Sequence, residues 1–279
     1  MKLSVLMSIY AKESPAFLRQ CLESLAVQTL PADEVVIVED GPLGESLKAI
    51  IAEYKKILPI ASLSLPVNVG LGMALRVGLY ACRGEYVARM DSDDICVPER
   101  FQKQMDFLSC HPEVDVVGSA IAEFEHECST LCAIRRAPVG GAALRRFAKR
   151  RAPMNHVTVI FRKASVVAAG NYEDHRHFQD YHLWARMLAL GYNLHNMNDI
   201  LVYVRSGDSM QDRRGGLSYL KEEIQFQTYL RSMGLLDAAD SFVNILMRGP
   251  IRLAPNSVRA LCYNLFLRTP ATALQRTLP

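Results

Sequence analysis

Short apolar runs rich in β-branched residues alternate with helical stretches, and this alternation limits the fold more than any other feature of the chain. Five such runs are predicted strands: residues 3–9, 34–39, 60–65, 86–90 and 114–118. Between them, apolar residues recur at helical spacing over 15–26, 47–54, 72–82 and 98–110. Strands that alternate with helices form parallel sheets that are covered on both faces. We therefore predict an α/β fold with a doubly wound, mostly parallel, Rossmann-like sheet.

Composition narrows the class of protein further. A length of 279 residues predicts one large domain or one and a half, and the apolar half of the composition indicates a globular chain. A net charge of +3 is too small to suggest a nucleic-acid partner. The seven cysteines are odd in number and form no C-x-x-C pair, so we predict reduced thiols in a cytoplasmic protein. The N-terminal apolar run is too short for a signal peptide, and no uncharged run of about 18 residues predicts a transmembrane helix.

Polar residues follow several of the predicted strands at the point where each strand ends. Tyr10 follows the first strand, Asp40 the second and Asn68 the third, and the run Asp-Ser-Asp-Asp at 91–94 follows the fourth. The carboxyl ends of parallel strands meet at one edge of the sheet, where α/β proteins bind their ligands. We therefore predict a binding site at this edge.

The acidic run at the fourth strand exit has two interpretations. Asp91, Asp93 and Asp94 repel one another unless a cation or hydrogen bonds offset their charge, and Mg²⁺ often shares carboxylate ligands with substrate phosphates. Alternatively, the run is a solvated turn that caps the helix predicted from Pro98. No G-x-G-x-x-G follows the first strand, and no G-x-x-x-x-G-K-[ST] loop occurs, so the two common backbone phosphate sites are absent from the sequence. A metal on the acidic run is the remaining way to hold a diphosphate.

Asp40, Asn68 and Arg76 are candidate nucleotide contacts at the same edge. Asp40 could accept a base N–H, or it could simply form the turn before Gly41. Asn68 or Arg76 could reach a ribose or a phosphate, although Arg76 also fits a solvated charge on a helix.

A later helix is predicted over residues 178–190, with Asp180 in its first turn. A carboxylate there is an ordinary feature of a helix end, worth about 0.3–1 kcal/mol. It is also where a general base could project into a cleft, and Leu183 and Trp184 would form the buried stripe that fixes its direction.

Two stretches of the chain are rich in basic residues. The segment 135–151 contains seven arginines or lysines, and beyond Asp240 five arginines are interleaved with apolar residues while no acidic residue occurs. Basic amphipathic helices suit an anionic membrane surface. The same patterns also fit a solvated basic loop in the first case and a C-terminal helix pair packed on the domain in the second.

Taken in order, these motifs resemble those of family 2 glycosyltransferases, which have the GT-A fold. The matching residues are Val5-Leu-Met-Ser-Ile-Tyr10, Glu39-Asp40-Gly41, Asn68-x-Gly70, Asp91-Ser-Asp93-Asp94 and Gln179-Asp180. The resemblance covers about residues 1–205, and the run 36–43 is most similar to bacterial exopolysaccharide and O-antigen glycosyltransferases of the amylovoran type. It implies a nucleotide-sugar-binding half at 1–120, an acceptor-binding half of the same domain at 121–205, and a basic, helical C-terminal extension at 206–279.

The resemblance also implies roles for individual residues. Asp40 would contact the base, Asp91 would lie near the ribose and diphosphate, Asp93 would ligate Mg²⁺ or Mn²⁺, and Asp180 would be the general base. The other implied donor contacts are Ser8, Tyr10, Glu13, Asn68, Gly70, Arg76 and Ser92, and the implied acceptor contacts are His156, Gln179 and Trp184. Gln179 departs from the family, which usually has Glu before the base, so one carboxylate is missing.

The activity implied by the resemblance is inverting transfer of a single sugar to a lipid-diphosphate-linked saccharide in exopolysaccharide or O-antigen synthesis. The donor would be a nucleotide-diphospho-sugar, with UDP-galactose as a candidate. The Q-x-x-R-W motif of processive synthases is absent, which favours single transfer. The basic stretches suggest a cytoplasmic enzyme that is peripheral at the inner face of the bacterial plasma membrane.

Two other classes of protein share some of these sequence features. A non-catalytic module that binds a sugar nucleotide or scaffolds an assembly complex is the main alternative, because Gln179 replaces the usual Glu. A sugar nucleotidyltransferase also uses an α/β sheet and Mg²⁺. It would need a glycine-rich, basic loop after the first strand, which residues 8–13 do not supply.

Overall fold

The computed structural model describes residues 1–125, 128, 130–175, 177–206, 216–254 and 269–270, and its N-terminal part has the predicted alternation of strands and helices. The first four strands are β1 (Leu3–Ile9), β2 (Glu34–Glu39), β3 (Ile60–Ser64) and β4 (Tyr86–Arg89). They pair in parallel in the order β3-β2-β1-β4. Their carboxyl ends therefore lie at one edge of the sheet, as predicted.

Helices cover both faces of this parallel half. They are α1 (Pro15–Ala26), α2 (Glu45–Tyr54) and α3 (Leu71–Ala81). Along β1, Val5 and Met7 belong to the buried core that includes α1 and α2, whereas Leu6 belongs to the core that includes α3. Gly78 lets α3 approach the sheet closely, because a Cβ there would lie 2.5 Å from the Leu6 side chain. The doubly wound arrangement is therefore confirmed.

The segment after the acidic run differs from the prediction. The sequence of residues 95–98, with its proline, predicts a turn into the next helix, but the segment contains the two-residue strand β5 (Ile95–Cys96). The helix that follows, α4, begins two residues later than predicted and spans Arg100–Cys110.

The rest of the sheet is mixed rather than parallel. Its main strands are β6 (Val116–Phe124), β7 (Leu131–Arg135), β8 (Ile160–Arg162) and β9 (Leu194–Arg205). β6 pairs in parallel with β9 and antiparallel with β7 and β8, β8 pairs with β4, and β9 pairs with β5. The sequence predicts a strand over 114–118 only, because Ser119 and Glu123 interrupt the apolar pattern, yet every residue of β6 is buried.

Three helices accompany this mixed part: α5 (Gly141–Ala148), α6 (Lys163–Ala168) and α7 (Gln179–Ala189). The strand predicted over 153–161 is instead a one-turn 3₁₀ helix, His156–Thr158, followed by β8. Leu183 and Trp184 of α7 are fully buried in the same core as α3, which confirms the predicted stripe.

Two C-terminal helices, α8 (Leu217–Ser232) and α9 (Ala238–Leu253), follow β9 in sequence, and the short strand β10 (Thr269–Pro270) pairs with β7. Phe226 and Leu230 of α8 pack against Tyr181 and Ala185 of α7. Across the described ranges, no helix is both long enough and apolar enough to cross a bilayer. Of the basic C-terminal stretch predicted beyond Asp240, the part with Arg259, Arg268 and Arg276 lies outside the described residues.

Candidate active site

The acidic run follows β4 directly and brings three carboxylates together. Carboxylate oxygens of Asp91, Asp93 and Asp94 lie within 4.8 Å of one another. Burial and the neighbouring Asp91 charge raise the pKa of Asp93 to about 6. Burial and the charges of Asp91 and Asp93 also raise the pKa of Asp94. Carboxylates held this close resist full ionisation unless a cation offsets their charge. The cluster therefore fits a divalent metal ion, which the oxygen donor set also favours.

Arg89, the last residue of β4, is buried beside the cluster and forms an ion pair with Asp91. The carbonyl oxygen of Asp91 accepts the Cys21 thiol, with 3.2 Å between sulfur and oxygen. These contacts fix Asp91 at the edge of the sheet. Its side chain stays 38 % exposed, so the carboxylate is still accessible to a ligand.

Arg205, the last residue of β9, holds the other side of the acidic run. Its backbone N–H donates to Asp94 Oδ1 at 2.9 Å, and its Nε donates to the Asp93 carbonyl at 3.3 Å. Its guanidinium lies over the Phe17 ring at 3.8 Å and the Phe124 ring at 4.6 Å. Sequence reasoning missed Arg205, because nothing local connects it with a carboxylate 111 residues earlier.

Asp40, at the exit of β2, fastens the loop that leaves β3. Its carboxylate oxygens accept the N–H groups of Val69 at 2.7 Å and Gly70 at 3.1 Å, and its carbonyl accepts the Asn68 amide at 3.1 Å. Asp40 is only 4 % exposed. Glycine is required at Gly41, because its φ is +85° and a Cβ would lie 2.8 Å from the Asn68 nitrogen. The Asp40-Gly41 and Asn68-x-Gly70 motifs therefore form one structural unit.

A cavity of about 330 Å³ opens beside this unit and is lined by residues 68–72, Asp174 and His175. The first turn of α3 forms part of its wall, and helix N-termini attract anionic groups. The loop 173–175 packs directly on that turn, since a Cβ on Gly72 would lie 2.5 Å from the Glu173 carbonyl oxygen. The cavity thus joins the exits of β2 and β3 to the segment that leads into α7.

The exit of β1 carries three of the predicted donor contacts, all half-buried: Ser8, Tyr10 and Glu13. The Asp40 N–H donates to the Ile9 carbonyl at 2.7 Å, which sets this exit beside the Asp40 unit. Ser92 lies within the acidic run and is buried. The sequence includes Glu39 in the Glu39-Asp40-Gly41 motif but indicates no role for it; in the structure Glu39 is a half-buried carboxylate at the same edge that accepts the Ser64 hydroxyl at 2.8 Å.

Asp180 lies in the first turn of α7, as predicted, and is half-buried. Burial raises its pKa, against the opposing effects of the Tyr181 N–H and of Arg89. Burial also raises the pKa of Tyr172; Arg89 opposes this shift, and the charges of Asp180 and Asp91 add to it. Both carboxylates, Asp180 and Asp91, are therefore within electrostatic range of the Tyr172 phenol and the Arg89 guanidinium.

The turn before Asp180 has an unusual backbone. Phe178 has φ +60°, a left-handed conformation that costs a residue with a side chain about 1–2 kcal/mol. Its ring stacks on Phe226 of α8 at 5.0 Å and meets the Tyr219 ring edge-on at 5.2 Å. These contacts offset the strain, so α8 helps to position the start of α7.

The predicted acceptor contacts have three different environments. His156 Nε2 lies 2.9 Å from the Tyr172 hydroxyl, and burial with the Arg89 charge lowers the pKa of His156, which keeps the ring neutral. Gln179 is half-buried at the start of α7. Trp184 is fully buried and meets His156 edge-on at 6.0 Å. The prediction that Trp184 contacts an acceptor is therefore wrong, because its ring packs in the core behind His156.

Arg76 also differs from its predicted role. Its Nη1 donates to the carbonyl oxygens of Gly170 at 3.0 Å and Tyr172 at 2.7 Å. Arg76 therefore fixes the loop that carries Tyr172, and these contacts do not support a role at a ribose or phosphate. Sequence reasoning passed over Tyr172 itself, because its neighbours in the cleft come from other elements.

Two relatives of known name are similar to this chain over most of their length. It is 43 % identical to the amylovoran biosynthesis glycosyltransferase AmsE of Erwinia amylovora over 261 residues, which are 93 % of this chain and 97 % of the relative. It is 36 % identical to the UDP-Gal:alpha-D-GlcNAc-diphosphoundecaprenol beta-1,3-galactosyltransferase of Escherichia coli over 267 residues, which are 96 % of this chain and 97 % of the relative.

Solved structures share the fold. TarS 1-349 of S. aureus in complex with UDP-GlcNAc has a TM-score of 0.70 at 19 % identity, over 99 % of this chain and 78 % of that one. The mannosyltransferase PcManGT of Pyrobaculum calidifontis in complex with GDP-Man and Mn2+ has a TM-score of 0.60 at 16 % identity, over 99 % and 79 %. Both confirm the predicted GT-A fold. The family model for "Glycosyl transferase family 2" matches residues 4–167, and the chain belongs to this family of glycosyltransferases.

Proposed function

We propose that this enzyme moves a single sugar from a UDP-sugar, with UDP-galactose as the first candidate, to a lipid-diphosphate-linked saccharide, with inversion at the anomeric carbon. The product would enter exopolysaccharide or O-antigen synthesis. The names of two relatives support these substrates: one acts in amylovoran biosynthesis, and the other transfers galactose from UDP-Gal to GlcNAc-diphosphoundecaprenol. The observation that carries the proposal is the cluster of Asp91, Asp93 and Asp94 at the exit of β4, together with an Asp180 that lies within electrostatic range of the neighbouring Arg89.

The donor would bind in the first half of the domain, residues 1–120. The cavity beside α3 would take the nucleoside. Asp40 already binds two backbone N–H groups, so we add Glu39 as a second candidate acceptor for a base N–H. Asp91 and Asp93 would hold Mg²⁺ or Mn²⁺, since Asp94 is bound to the backbone of Arg205. When bound, the cation would offset the charge of the departing diphosphate.

The acceptor would bind against residues 121–205, where Asp180 would take the proton of the attacking hydroxyl. Burial raises the pKa of Asp180 and so makes it a stronger base, while Arg89 favours its ionised form. Base and leaving-group site stand on separate elements, α7 and the exit of β4. A single displacement needs such an arrangement, because nucleophile and leaving group occupy opposite faces of the anomeric carbon. Neutral His156 and Gln179 would orient the acceptor.

We place the working enzyme in the cytoplasm, peripheral at the inner face of the bacterial plasma membrane. Its proposed donor is a soluble nucleotide sugar, and its proposed acceptor is held in a bilayer. Residues 206–279 would be the extension that serves this surface.

A donor panel tests the proposal. The enzyme is mixed with UDP-, GDP- or dTDP-sugars, with and without lipid-diphosphate-linked GlcNAc, and released nucleotide is measured. We expect UDP release only when a UDP-sugar and the acceptor are both present. Tight UDP-sugar binding without any release would favour the non-catalytic module. Release of GDP or dTDP alone would overturn the UDP assignment.

A further inference from the structure

Helix α9 reverses the usual pattern of a surface helix. An amphipathic helix on a globular domain normally turns its apolar residues to the core and its polar residues to water. In α9 the buried side chains of Ser241 and Asn244 are polar, the charged residues Asp240 and Arg248 are partly buried, and the apolar Ile245 is only half-buried. The helix is therefore seated on the domain through its polar side.

Ion pairs form much of the contact between the polar side of α9 and the domain, which we call the seat. Asp240 accepts Lys149 Nζ at 2.7 Å and Arg150 Nη2 at 2.9 Å, both from the end of α5. Arg248 pairs with the buried Glu223 of α8 at 2.5 Å. These partners come from two different elements, so they fix the rotation of α9 about its own axis.

The opposite side of α9 is an apolar row that we call the outer ridge. It consists of Phe242, Val243, Leu246 and Met247, which are 66 %, 38 %, 61 % and 64 % exposed. Residues at this spacing share one face of a helix. Single exposed apolar residues are ordinary, but a contiguous row marks an interaction surface. Because the seat fixes the rotation of α9, the ridge cannot be buried by turning the helix.

The basic character of the C-terminal sequence and of the neighbouring helix α5 favours an anionic partner. From residue 241 onward the sequence contains five arginines and no acidic residue. Helix α5, which meets α9 through Lys149 and Arg150, also exposes Arg145 and Arg146. An apolar helix face with surplus arginine is typical of helices that lie at the boundary between headgroups and acyl chains of an anionic bilayer.

We propose that α9 is a membrane-docking helix whose outer ridge enters an anionic bilayer while its polar side stays fastened to the domain. The inference deepens the proposed function, on which its biological purpose rests: a docked α9 holds the cleft at a surface that presents lipid-linked acceptors. Helix α8 connects the two regions, because it pairs with α9 through Glu223 and contacts Phe178 beside Asp180.

The test uses the full chain with Leu246→Trp as a reporter. The native Trp184 is fully buried and gives a constant background. With vesicles that contain about 30 % phosphatidylglycerol and brominated acyl chains, the fluorescence of the introduced indole should shift to the blue and be quenched. The shift should shrink in high salt, because added ions screen the attraction between arginines and anionic headgroups.

Two matched variants separate the ridge from general surface effects. Phe242→Glu should weaken vesicle binding at least about tenfold, because it removes a ring that would enter the bilayer and brings a carboxylate to an anionic surface. Val27→Glu makes the same change of charge at an apolar residue of similar exposure, 58 %, just after α1, and should leave binding unchanged. Equal loss in both variants would refute the role of the ridge.

Other partners give recognisable results that would overturn the proposal. A wild-type dimer that ignores vesicles and that Phe242→Glu dissociates would make the partner a second copy. Vesicle binding that appears only after residues 255–279 are deleted would make the partner this chain's own C-terminal segment. Vesicle binding requires neither sugar donor nor acceptor. Intact docking without sugar transfer would therefore count against the proposed function alone, and sugar transfer without docking against this inference alone.

Discussion

Replacing Asp40 with Asn tests whether one carboxylate fastens the exits of β2 and β3 to each other. The change preserves the shape of the side chain but leaves a single acceptor oxygen. One of the two N–H groups, at Val69 or Gly70, would then face an NH₂ group that cannot accept its hydrogen bond. The substitution therefore removes one contact without creating a cavity.

The size of the effect follows from these contacts. A hydrogen bond to a charged group contributes about 1.5–3 kcal/mol, and a buried donor left unpaired costs about 1–3 kcal/mol. Part of this cost is recovered because water reaches the neighbouring cavity. We expect the loop at residues 68–70 to lose about 2–4 kcal/mol of protection, which corresponds to about 30- to 1,000-fold faster amide exchange.

Hydrogen exchange of the Val69 and Gly70 amides in Asp40→Asn measures the loss directly, and calorimetry with a UDP-sugar reports its consequence. Donor affinity should fall at least about tenfold, because residues 68–72 line the cavity. Glu39→Gln is the matched control for the exchange measurement: it removes a charge at the same strand exit, yet it keeps an acceptor for the Ser64 hydroxyl. If both variants exchange equally fast, or neither differs from wild type, the fastening role of Asp40 is refuted.

Three further changes test the acidic groups. Asp180→Asn should lower sugar transfer by about 10²–10⁴-fold with donor affinity unchanged in calorimetry; near-normal turnover would refute the base assignment. The pKa of Asp93 is about 6 in the folded protein and 3.8 in the unfolded chain, so the folded state binds more protons between these values. The metal-free protein should therefore lose stability as the pH rises from about 4 to about 6. Metal binding should correspondingly weaken as the pH falls below about 6, so Mn²⁺ should raise Tm more at about pH 7.5 than at about pH 5. Asp93→Asn should remove that difference, and its persistence would exclude Asp93 as the titrating ligand. Arg205→Lys keeps the charge but loses the Nε contact with the Asp93 carbonyl, so Mn²⁺ affinity should fall about tenfold; unchanged affinity would show that Arg205 does not position the run.

The parallel half of the sheet was predictable because its strands are mostly buried on both faces, and a continuous apolar run keeps its meaning without long-range information. β5 shows the limit of prediction from local sequence. Ile95 and Cys96 form a strand only because they pair with Tyr203 and Val202. Their local sequence, before a proline, is that of a turn.

The residues of the candidate site likewise divide into those that local sequence predicts and those that depend on long-range contacts. The direction of the strands was enough to predict that Asp40, Asn68 and the acidic run share an edge. Helical spacing correctly predicted Asp180 in the first turn of α7 and Trp184 in its buried stripe, whereas the acceptor contact that the family resemblance implies for Trp184 is prevented by this burial. Arg205 and Tyr172 acquire their positions only through tertiary contacts, and the sequence carries no local signal for either.

Gly72 has a consequence for the order of binding events. Its missing side chain lets the first turn of α3 touch the Glu173 carbonyl, so the proposed donor cavity and the segment leading to Asp180 share one wall. A nucleotide sugar that orders this wall also orders the approach to the acceptor cleft. We therefore expect a compulsory sequence in which donor binds before acceptor. Because coupling between two binding sites is reciprocal, the acceptor must in turn hold the donor in place by the same factor. Departure of the nucleotide would then lower the affinity of the enzyme for the glycosylated product.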